Sequence, residues 1–350
     1  MNYRNLLAGL AAGLLFYVQT GAELALAAVP KDAPKDIKYI LGFYYGNGEN
    51  ILIRENNGRL ELLYRTALGD KSFAAANLYP LSKVHFDSYT LQESGPMSNT
   101  EAGVRFERDP DGYGISCRVG GNTYSRYFLG TTTGERAKSF RLAERSAEDW
   151  AKLRAEAAKA AVPAALAAGE QLVDAATVAG VQVNSVYAGS DNLFGAPLYT
   201  TSKLFVSKEA AAALGKVQKR LAPYGYGLVL WDAYRPWSVS KLANLALSDD
   251  KKDMLEDPET KGSTHNTGNA VDVGLYSLES GEELDMGCGF DEPSLRQYAS
   301  YAGGTSRERY LRSLLREEME LQGFKGIEME WWHFEFGDCF KFAHLNVSNQ

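Results

Sequence analysis

The chain has few of the residues that mark disulfide-rich or nucleic-acid-binding proteins. Its 350 residues include three cysteines, Cys117, Cys288 and Cys339, and no C-x-x-C pair that would suggest a structural zinc site. One disulfide between Cys288 and Cys339 and three buried, unpaired thiols both fit this spacing. The 37 basic residues are outnumbered by 44 acidic ones. We therefore expect no cationic surface for phosphate groups and no nucleic-acid partner.

Long apolar runs are also scarce, and the clearest one lies at the amino terminus. Arg4 precedes an apolar run over residues 6–18, and an A-L-A motif ending at Ala27 is typical of a signal-peptidase site. The run is shorter than the roughly 20 residues that a membrane-spanning helix needs. We predict a signal peptide over residues 1–27, export to the periplasm or the medium, and no membrane span in the mature protein. A membrane anchor is the alternative.

Residues 37–142 alternate short apolar stretches with turn signals. I-L-I at residues 51–53, N-G at 57–58 and L-E-L at 60–62 together form the pattern of a β-hairpin. Repetition of this pattern predicts an all-β N-terminal module, either a small barrel or a sandwich. The module loosely resembles the lipocalin-like modules of some bacterial wall enzymes. Contact with cell-wall material and shielding of the active domain are both open as its role.

The rest of the chain mixes helix and strand signals. Residues 143–169 are rich in alanine and charged residues and predict a helical linker. Within residues 170–350 the clearest elements are a helix over 208–221 capped by Ser207, a buried strand over 227–231 and a helix over 307–322. We therefore predict an α+β C-terminal domain with a central antiparallel sheet and flanking helices.

Two of the four histidines lie in unusual segments, G-S-T-H-N-T-G-N-A-V-D-V around His265 and E-M-E-W-W-H-F around His333. Zinc in a hydrolase takes three protein ligands, typically imidazole and carboxylate, and leaves a fourth position for water. His265, Asp272 and His333 supply such a set. Gly268 allows a turn between the first ligand and a strand over 270–276, so the two can converge. The pattern predicts a Zn²⁺ site.

The general base is open among three glutamates. A carboxylate near zinc-bound water can take its proton. If residues 330–336 formed a regular strand, Glu330 and His333 would face opposite sides, and Glu335 would be better placed. A bulge or a strand end just after Glu330 would bring it back toward the metal. Glu328 is the third candidate.

Taken together, these motifs resemble the D-alanyl-D-alanine dipeptidases, relatives of the zinc D,D-carboxypeptidases and, in metal site, of the hedgehog domain. The similarity covers residues 172–344 through V-Y-A-G-S-D-N-L-F-G-A-P-L-Y, W-D-A-Y-R-P, S-T-H-N-T-G-N-A-V-D, M-G-C-G-F-D and E-W-W-H. It implies a zinc peptidase domain with metal ligands at His265, Asp272 and His333. It also places the catalytic carboxylate at Glu330.

The resemblance implies roles for three more residues. Arg235 of D-A-Y-R-P would polarise the scissile carbonyl and stabilise the oxyanion, although a structural salt bridge to Asp232 is the alternative. Asp291 would hold the substrate ammonium group, with Ser263 beside it. A longer peptide would leave that carboxylate unpaired, so the expected substrate is a small peptide such as D-Ala-D-Ala.

Two other functions stay open from the sequence. A D,D-carboxypeptidase or L,D-endopeptidase acting on peptidoglycan peptides would share the metal site but would need space where Asp291 pairs with an amine. A non-catalytic, zinc-containing binding protein, as in the hedgehog domain, would not need Glu330 or Arg235.

Overall fold

The computed structural model describes residues 29–65, 77–91, 103–127, 141–159, 172–260, 262–342 and 344–347. The predicted signal peptide and residues 160–169 of the predicted linker lie outside these residues. The described strands are β1 (Gly42–Gly46), β2 (Glu49–Asn56), β3 (Arg59–Arg65), β4 (Asn77–His85), β5 (Ser88–Leu91), β6 (Gly103–Arg108), β7 (Gly114–Val119), β8 (Asn122–Arg126), β9 (Leu172–Asp174), β10 (Gln182–Val183), β11 (Phe205–Ser207), β12 (Tyr226–Asp232), β13 (Ala270–Ser277), β14 (Phe324–Gly326) and β15 (His333–Phe336). The described α-helices are α1 (Lys35–Lys38), α2 (Ala147–Lys159), α3 (Lys208–Leu221), α4 (Trp237–Ala246) and α5 (Ser306–Glu320). Within this part of the chain, no helix has the length and apolar character to cross a membrane.

Strands β1 to β8 close into an antiparallel barrel in which each strand pairs with the next and β8 pairs with β1. The predicted N-G turn joins β2 to β3, with both Asn57 and Gly58 in the left-handed region. Alternate residues of the strands point inward and fill the interior, as in Tyr44, Ile53 and Leu62, which have no exposed surface. The structure therefore confirms the barrel rather than the sandwich.

The C-terminal domain is built on a five-stranded sheet in the order β10, β12, β13, β15, β14. Every residue of β12 is buried, and α3 packs against this strand through an apolar stripe that includes Ala210, Leu214 and Val217. Ser207 caps α3 by accepting a hydrogen bond from the Ala210 amide at 3.1 Å. Three strand pairs are antiparallel, but β10 and β12 are parallel, which departs from the fully antiparallel sheet expected.

The barrel and the C-terminal domain share an apolar contact. Leu52 and Leu63 of the barrel pack with Tyr301 of the C-terminal domain, and all three side chains are buried. Backbone hydrogen bonding continues the contact, because the Glu55 amide donates to Gly304 O at 3.0 Å. The two units therefore meet through ordered packing as well as through the connecting chain.

All three cysteines are free thiols. Trp331 Nε1 donates to Cys288 Sγ at 3.1 Å, whereas the Cys339 thiol faces the Phe336 carbonyl. Burial raises the pKa of Cys288 and of Cys339 to about 12, so both are protonated at neutral pH. Because Cys288 and Cys339 are free thiols, a disulfide between them is wrong, and the alternative of unpaired thiols holds, with Cys288 only partly buried.

Candidate active site

The turn that carries His265 is organised before the chain enters β13. Residues Thr264–Thr267 form one 3₁₀ turn, and the Ser263 hydroxyl caps its N-terminal end. Gly268 ends the turn in the left-handed region, at φ 75°, which the sequence predicts for this position. The chain then enters β13, whose third residue is Asp272. The short connection brings both side chains to one end of the sheet.

Asn266 fixes this turn to the neighbouring segment, a role that the sequence analysis missed. Its side chain is fully buried, and its Nδ2 donates to Arg235 O at 2.7 Å and to Ser240 Oγ at 2.9 Å. Its Oδ1 accepts from the Ser263 amide at 3.0 Å. The sequence gives one local sign of this role. Asn266 stands in a turn-forming segment, where asparagine side chains commonly hydrogen-bond to nearby backbone groups.

Replacing Asn266 by alanine should lower the free energy of unfolding by about 2–4 kcal/mol, because buried groups lose their hydrogen-bond partners. Urea unfolding monitored by tryptophan fluorescence would measure the change. Asn184→Ala is the matched control, since this exposed side chain donates a single hydrogen bond, to Glu283. An Asn266→Ala protein with the wild-type unfolding midpoint would contradict the prediction.

His265, Asp272 and His333 meet as a buried cluster. His265 Nε2 lies 3.2 Å from His333 Nδ1 and 3.3 Å from Asp272 Oδ2, and His333 Nδ1 lies 3.0 Å from Asp272 Oδ1. Four ligands at 2.0–2.1 Å around a tetrahedral zinc ion would be about 3.3–3.4 Å apart. The spacing of the three donor atoms and their chemistry therefore fit such an ion.

Each histidine of the cluster is oriented through its second ring nitrogen. His265 Nδ1 lies 2.7 Å from Ala233 O, so Nδ1 carries a proton and Nε2 presents its lone pair to the cluster. His333 Nε2 faces Glu335 Oε1 at 3.6 Å and Thr264 Oγ1 at 3.4 Å. Both contacts are of the kind that orient metal-ligating imidazoles.

The electrostatics of the cluster favour positive charge. Burial opposes protonation of His333, but the hydrogen bonds that its ring donates to the Asp272 and Glu335 carboxylates outweigh it and raise the pKa of His333 to about 10. Burial likewise opposes the charge of Asp272, and His265 and His333 together hold its pKa well below the usual range. The site is therefore electrostatically suited to a cation.

The structure resolves the position of Glu330 relative to the strand. β15 begins only at His333, and the His333 amide closes a turn onto Glu330 O at 3.3 Å. Strand alternation therefore does not apply to Glu330. Burial and the nearby Asp272 carboxylate raise the pKa of Glu330, opposed by the two histidines and Arg235.

The other two glutamates are engaged elsewhere. Glu335 faces His333 Nε2, on the side of the ring away from the cluster. Glu328 is exposed and accepts hydrogen bonds from the backbone and hydroxyl of Ser300. Of the three candidates, Glu330 is the carboxylate whose electrostatic neighbours are the cluster residues.

Arg235 has both a structural contact and an unused donor. Its Nη2 donates to Asp232 Oδ2 at 2.6 Å, which is the salt bridge that the sequence left as an alternative. The guanidinium lies over the Tyr187 ring, 5.4 Å from the ring centroid. Its Nε is buried without a hydrogen-bond partner in the described structure. The salt bridge thus holds the side chain in place while one donor stays available.

Tyr187 joins Arg235 to Asp291, a connection that the sequence did not reveal. Its hydroxyl donates to Asp291 Oδ2 at 2.5 Å while its ring lies under the guanidinium. Burial raises the pKa of Asp291 well above its usual range, although the hydrogen bond from Tyr187 lowers it. The hydrogen bonds that the structure gives Ser263 lie within the His265 turn, and none of them reaches Asp291.

The site combines two buried histidines and a carboxylate, and a glutamate and an arginine lie beside them. This arrangement is that of a metal-dependent hydrolase. Residues 168–348 match the peptidase M15 family, described as D-ala-D-ala dipeptidase. This match covers just over half of the chain, so the protein belongs to this family of metallopeptidases.

Individual relatives agree with the family match. The chain is 34% identical to the D-alanyl-D-alanine dipeptidase of Enterococcus faecalis, over 45% of this chain and 87% of that protein. It is 36% identical to the D-alanyl-D-alanine dipeptidase of Escherichia coli, over 47% of this chain and 84% of that protein. It is 31% identical to the D-alanyl-D-alanine dipeptidase of Streptomyces coelicolor, over 45% of this chain and 86% of that protein.

Proposed function

We propose that this metallopeptidase hydrolyses D-alanyl-D-alanine, or a closely related D,D-dipeptide, to free D-amino acids with zinc as its metal. The observation that carries the proposal is the Asp291 carboxylate, which is partly buried, accepts a hydrogen bond from Tyr187 and lies within electrostatic range of Asp272 and Glu330. Removal from water disfavours the charged form of this carboxylate, and a substrate ammonium group would stabilise it. The names of the relatives support the same substrate.

The metal would be held by His265, Asp272 and His333, whose donor spacing and ring orientation fit zinc. When bound, zinc supplies a Lewis acid for the scissile carbonyl and lowers the pKa of water toward about 7.

Glu330 is the proposed general base and acid. It accepts a proton from the attacking water and returns it to the amine that leaves when the peptide bond breaks. Its raised pKa suits both transfers, because a base with a very low pKa would hold the proton too weakly. The turn before β15 keeps the carboxylate at the cluster.

Arg235 is the proposed partner of the developing oxyanion. Its charge is permanent, and its salt bridge to Asp232 limits the movement of the guanidinium. The donor at Nε is buried and unpaired, so an oxyanion there would gain a hydrogen bond with little reorganisation.

Asp291, with Ser263 as a second contact, is proposed to limit the substrate to a dipeptide. An ammonium group one residue from the scissile bond would pair with Asp291, whereas an extended peptide would leave the buried carboxylate unpaired. The test is release of D-alanine from D-Ala-D-Ala, compared with a pentapeptide ending in D-Ala-D-Ala, by zinc-loaded protein. Faster cleavage of the pentapeptide would overturn the dipeptidase in favour of a carboxypeptidase.

Replacing Asp291 by asparagine should lower kcat/KM for D-Ala-D-Ala about 100-fold, mainly through KM. The reason is that the ammonium contact is equally strong in the ground state and the transition state. Steady-state kinetics of D-alanine release would measure this. Asp285→Asn is the matched control, since Asp285 is exposed and pairs with Lys38. An unchanged KM in Asp291→Asn would remove Asp291 from substrate binding.

We further propose that the protein is exported and acts on dipeptides derived from the cell wall, with the barrel in contact with wall material. The N-terminal pattern over residues 1–27 supports export. N-terminal sequencing of the mature protein from a periplasmic or culture fraction tests the export. Recovery of the uncleaved chain in the cytoplasm would contradict it.

A further inference from the structure

A residue of the barrel accepts a hydrogen bond from the first turn of helix α5. Glu55, at the end of β2, is 4% exposed, and its Oε2 accepts a hydrogen bond from the Ser306 amide at 2.7 Å. Thr305 and Glu308 form a capping box of their own, which satisfies two other amides. The amides at the start of a helix have no partner within it, and a carboxylate there is favoured by the helix dipole. The barrel therefore completes the start of α5.

Further contacts fix the barrel to the same turn. Arg309 donates through Nη2 to Glu55 O at 2.8 Å, and the Asn57 amide donates to Ser306 Oγ at 2.8 Å. The backbone carbonyl and the backbone amide of Glu55 are therefore both hydrogen-bonded to the C-terminal domain, because the amide donates to Gly304 O. The β2–β3 hairpin cannot shift without disturbing the beginning of α5.

Helix α5 in turn holds the segment that bears Asp291. Arg312, six residues after Ser306 and 5% exposed, donates through Nη1 to Met286 O at 2.6 Å and through Nη2 to Tyr301 O at 2.9 Å. A Cβ atom at Gly287, where φ is 99°, would lie 2.7 Å from Arg312 Nη1. Glycine is therefore required for the chain to pass this close to the guanidinium.

We infer that the barrel, acting through Glu55, α5 and Arg312, is a positioning element for Asp291, an inference that rests on the proposed role of Asp291 in substrate binding. Asp291 has φ 59°, in the left-handed region that few residues with a side chain adopt, so the direction of its carboxylate depends on how the preceding chain is held. Arg312 anchors the chain five residues before this point. The barrel thus tunes the affinity for the substrate ammonium group from outside the active site.

The test uses the full-length, zinc-loaded protein with two conservative substitutions, Arg312→Lys and Glu55→Gln. A lysine cannot bridge the two carbonyls. Glu55 accepts from two amides, those of Ser306 and Gly58, whereas a glutamine has one acceptor oxygen and leaves one of these amides without an acceptor. We expect KM for D-Ala-D-Ala to rise about threefold to tenfold in each variant, with kcat and zinc content near wild type. The selectivity for D-Ala-D-Ala over its N-acetylated form, which has no ammonium group, should fall by the same factor.

Two matched controls separate positioning from general destabilisation. Arg316→Lys lies one turn further along α5, where the side chain pairs with Glu320. Glu107→Gln removes a carboxylate that accepts a hydrogen bond within the barrel, from Ser116 Oγ at 2.8 Å. Both should keep the wild-type KM.

Equal losses for the free and the N-acetylated dipeptide, or a fall in kcat and zinc content with KM unchanged, would show that Arg312 and Glu55 are only structural. Wild-type kinetics in both variants would overturn the inference as well. If the wild type released no D-alanine, or if Asp291→Asn kept the wild-type KM, the proposed function itself would fail and the inference with it.

Discussion

Replacing Glu330 by glutamine should lower kcat for D-Ala-D-Ala by about 10²- to 10⁴-fold while zinc stays bound. Glutamine keeps the size of the side chain but cannot accept the proton of the attacking water. The cluster of His265, Asp272 and His333 is unchanged in this variant, so its zinc content should equal that of the wild type. Steady-state kinetics together with metal analysis of the same preparation would measure both quantities.

The neighbouring glutamates provide the comparison for this experiment. Glu328→Gln changes an exposed carboxylate bonded to Ser300 and should leave kcat near wild type. Glu335→Gln weakens the contact that orients His333, so it should lower zinc affinity about 10- to 100-fold with a smaller effect on the loaded enzyme. A zinc-loaded Glu330→Gln protein with wild-type kcat would exclude Glu330 as the general base.

Replacing His265 by alanine should abolish stoichiometric zinc binding and lower activity by about 10³-fold or more. A Lewis acid contributes several kcal/mol to stabilisation of the transition state, and each 1.36 kcal/mol is a factor of ten in rate. His265 is buried, and its Nε2 is one of the three donor atoms. Elemental analysis of the protein, after dialysis against buffer that contains a trace of zinc, would give the metal content.

The control for the His265 variant is His85→Ala, because His85 lies exposed on the barrel. This protein should keep both zinc and activity. A His265→Ala protein that still bound one zinc ion per chain would show that the metal is held elsewhere.

Much of the C-terminal domain could be predicted because its signals are local. Helix α3 covers the predicted residues 208–221, and Ser207 caps it as expected. The turn at Gly268 also follows from one residue with unusual backbone freedom. The grouping of His265 with Asp272 follows from the same turn and the strand after it. These features depend on a few consecutive residues, which is why the sequence alone indicates them.

Features that depend on contacts between distant residues could not be predicted in this way. Periodicity does not show that β15 begins only at His333, and this start decides which glutamate faces the cluster. The short β10 pairs in parallel with β12, and two residues carry too little pattern to reveal their direction. Helix α5 begins at Ser306, one residue before the predicted start, and the Ser306 amide binds Glu55 of the barrel, a residue about 250 positions earlier in the sequence.

The dependence of α5 on Glu55 has a consequence for the order of folding. An isolated helix of this length is marginal in water, and the first turn is the costly step. A chain that emerges with its amino end first presents the β2–β3 hairpin long before Ser306. Once the barrel has folded, the Glu55 carboxylate is in place to accept the Ser306 amide. The first turn of α5 can then form against the β2–β3 hairpin, which was synthesised earlier.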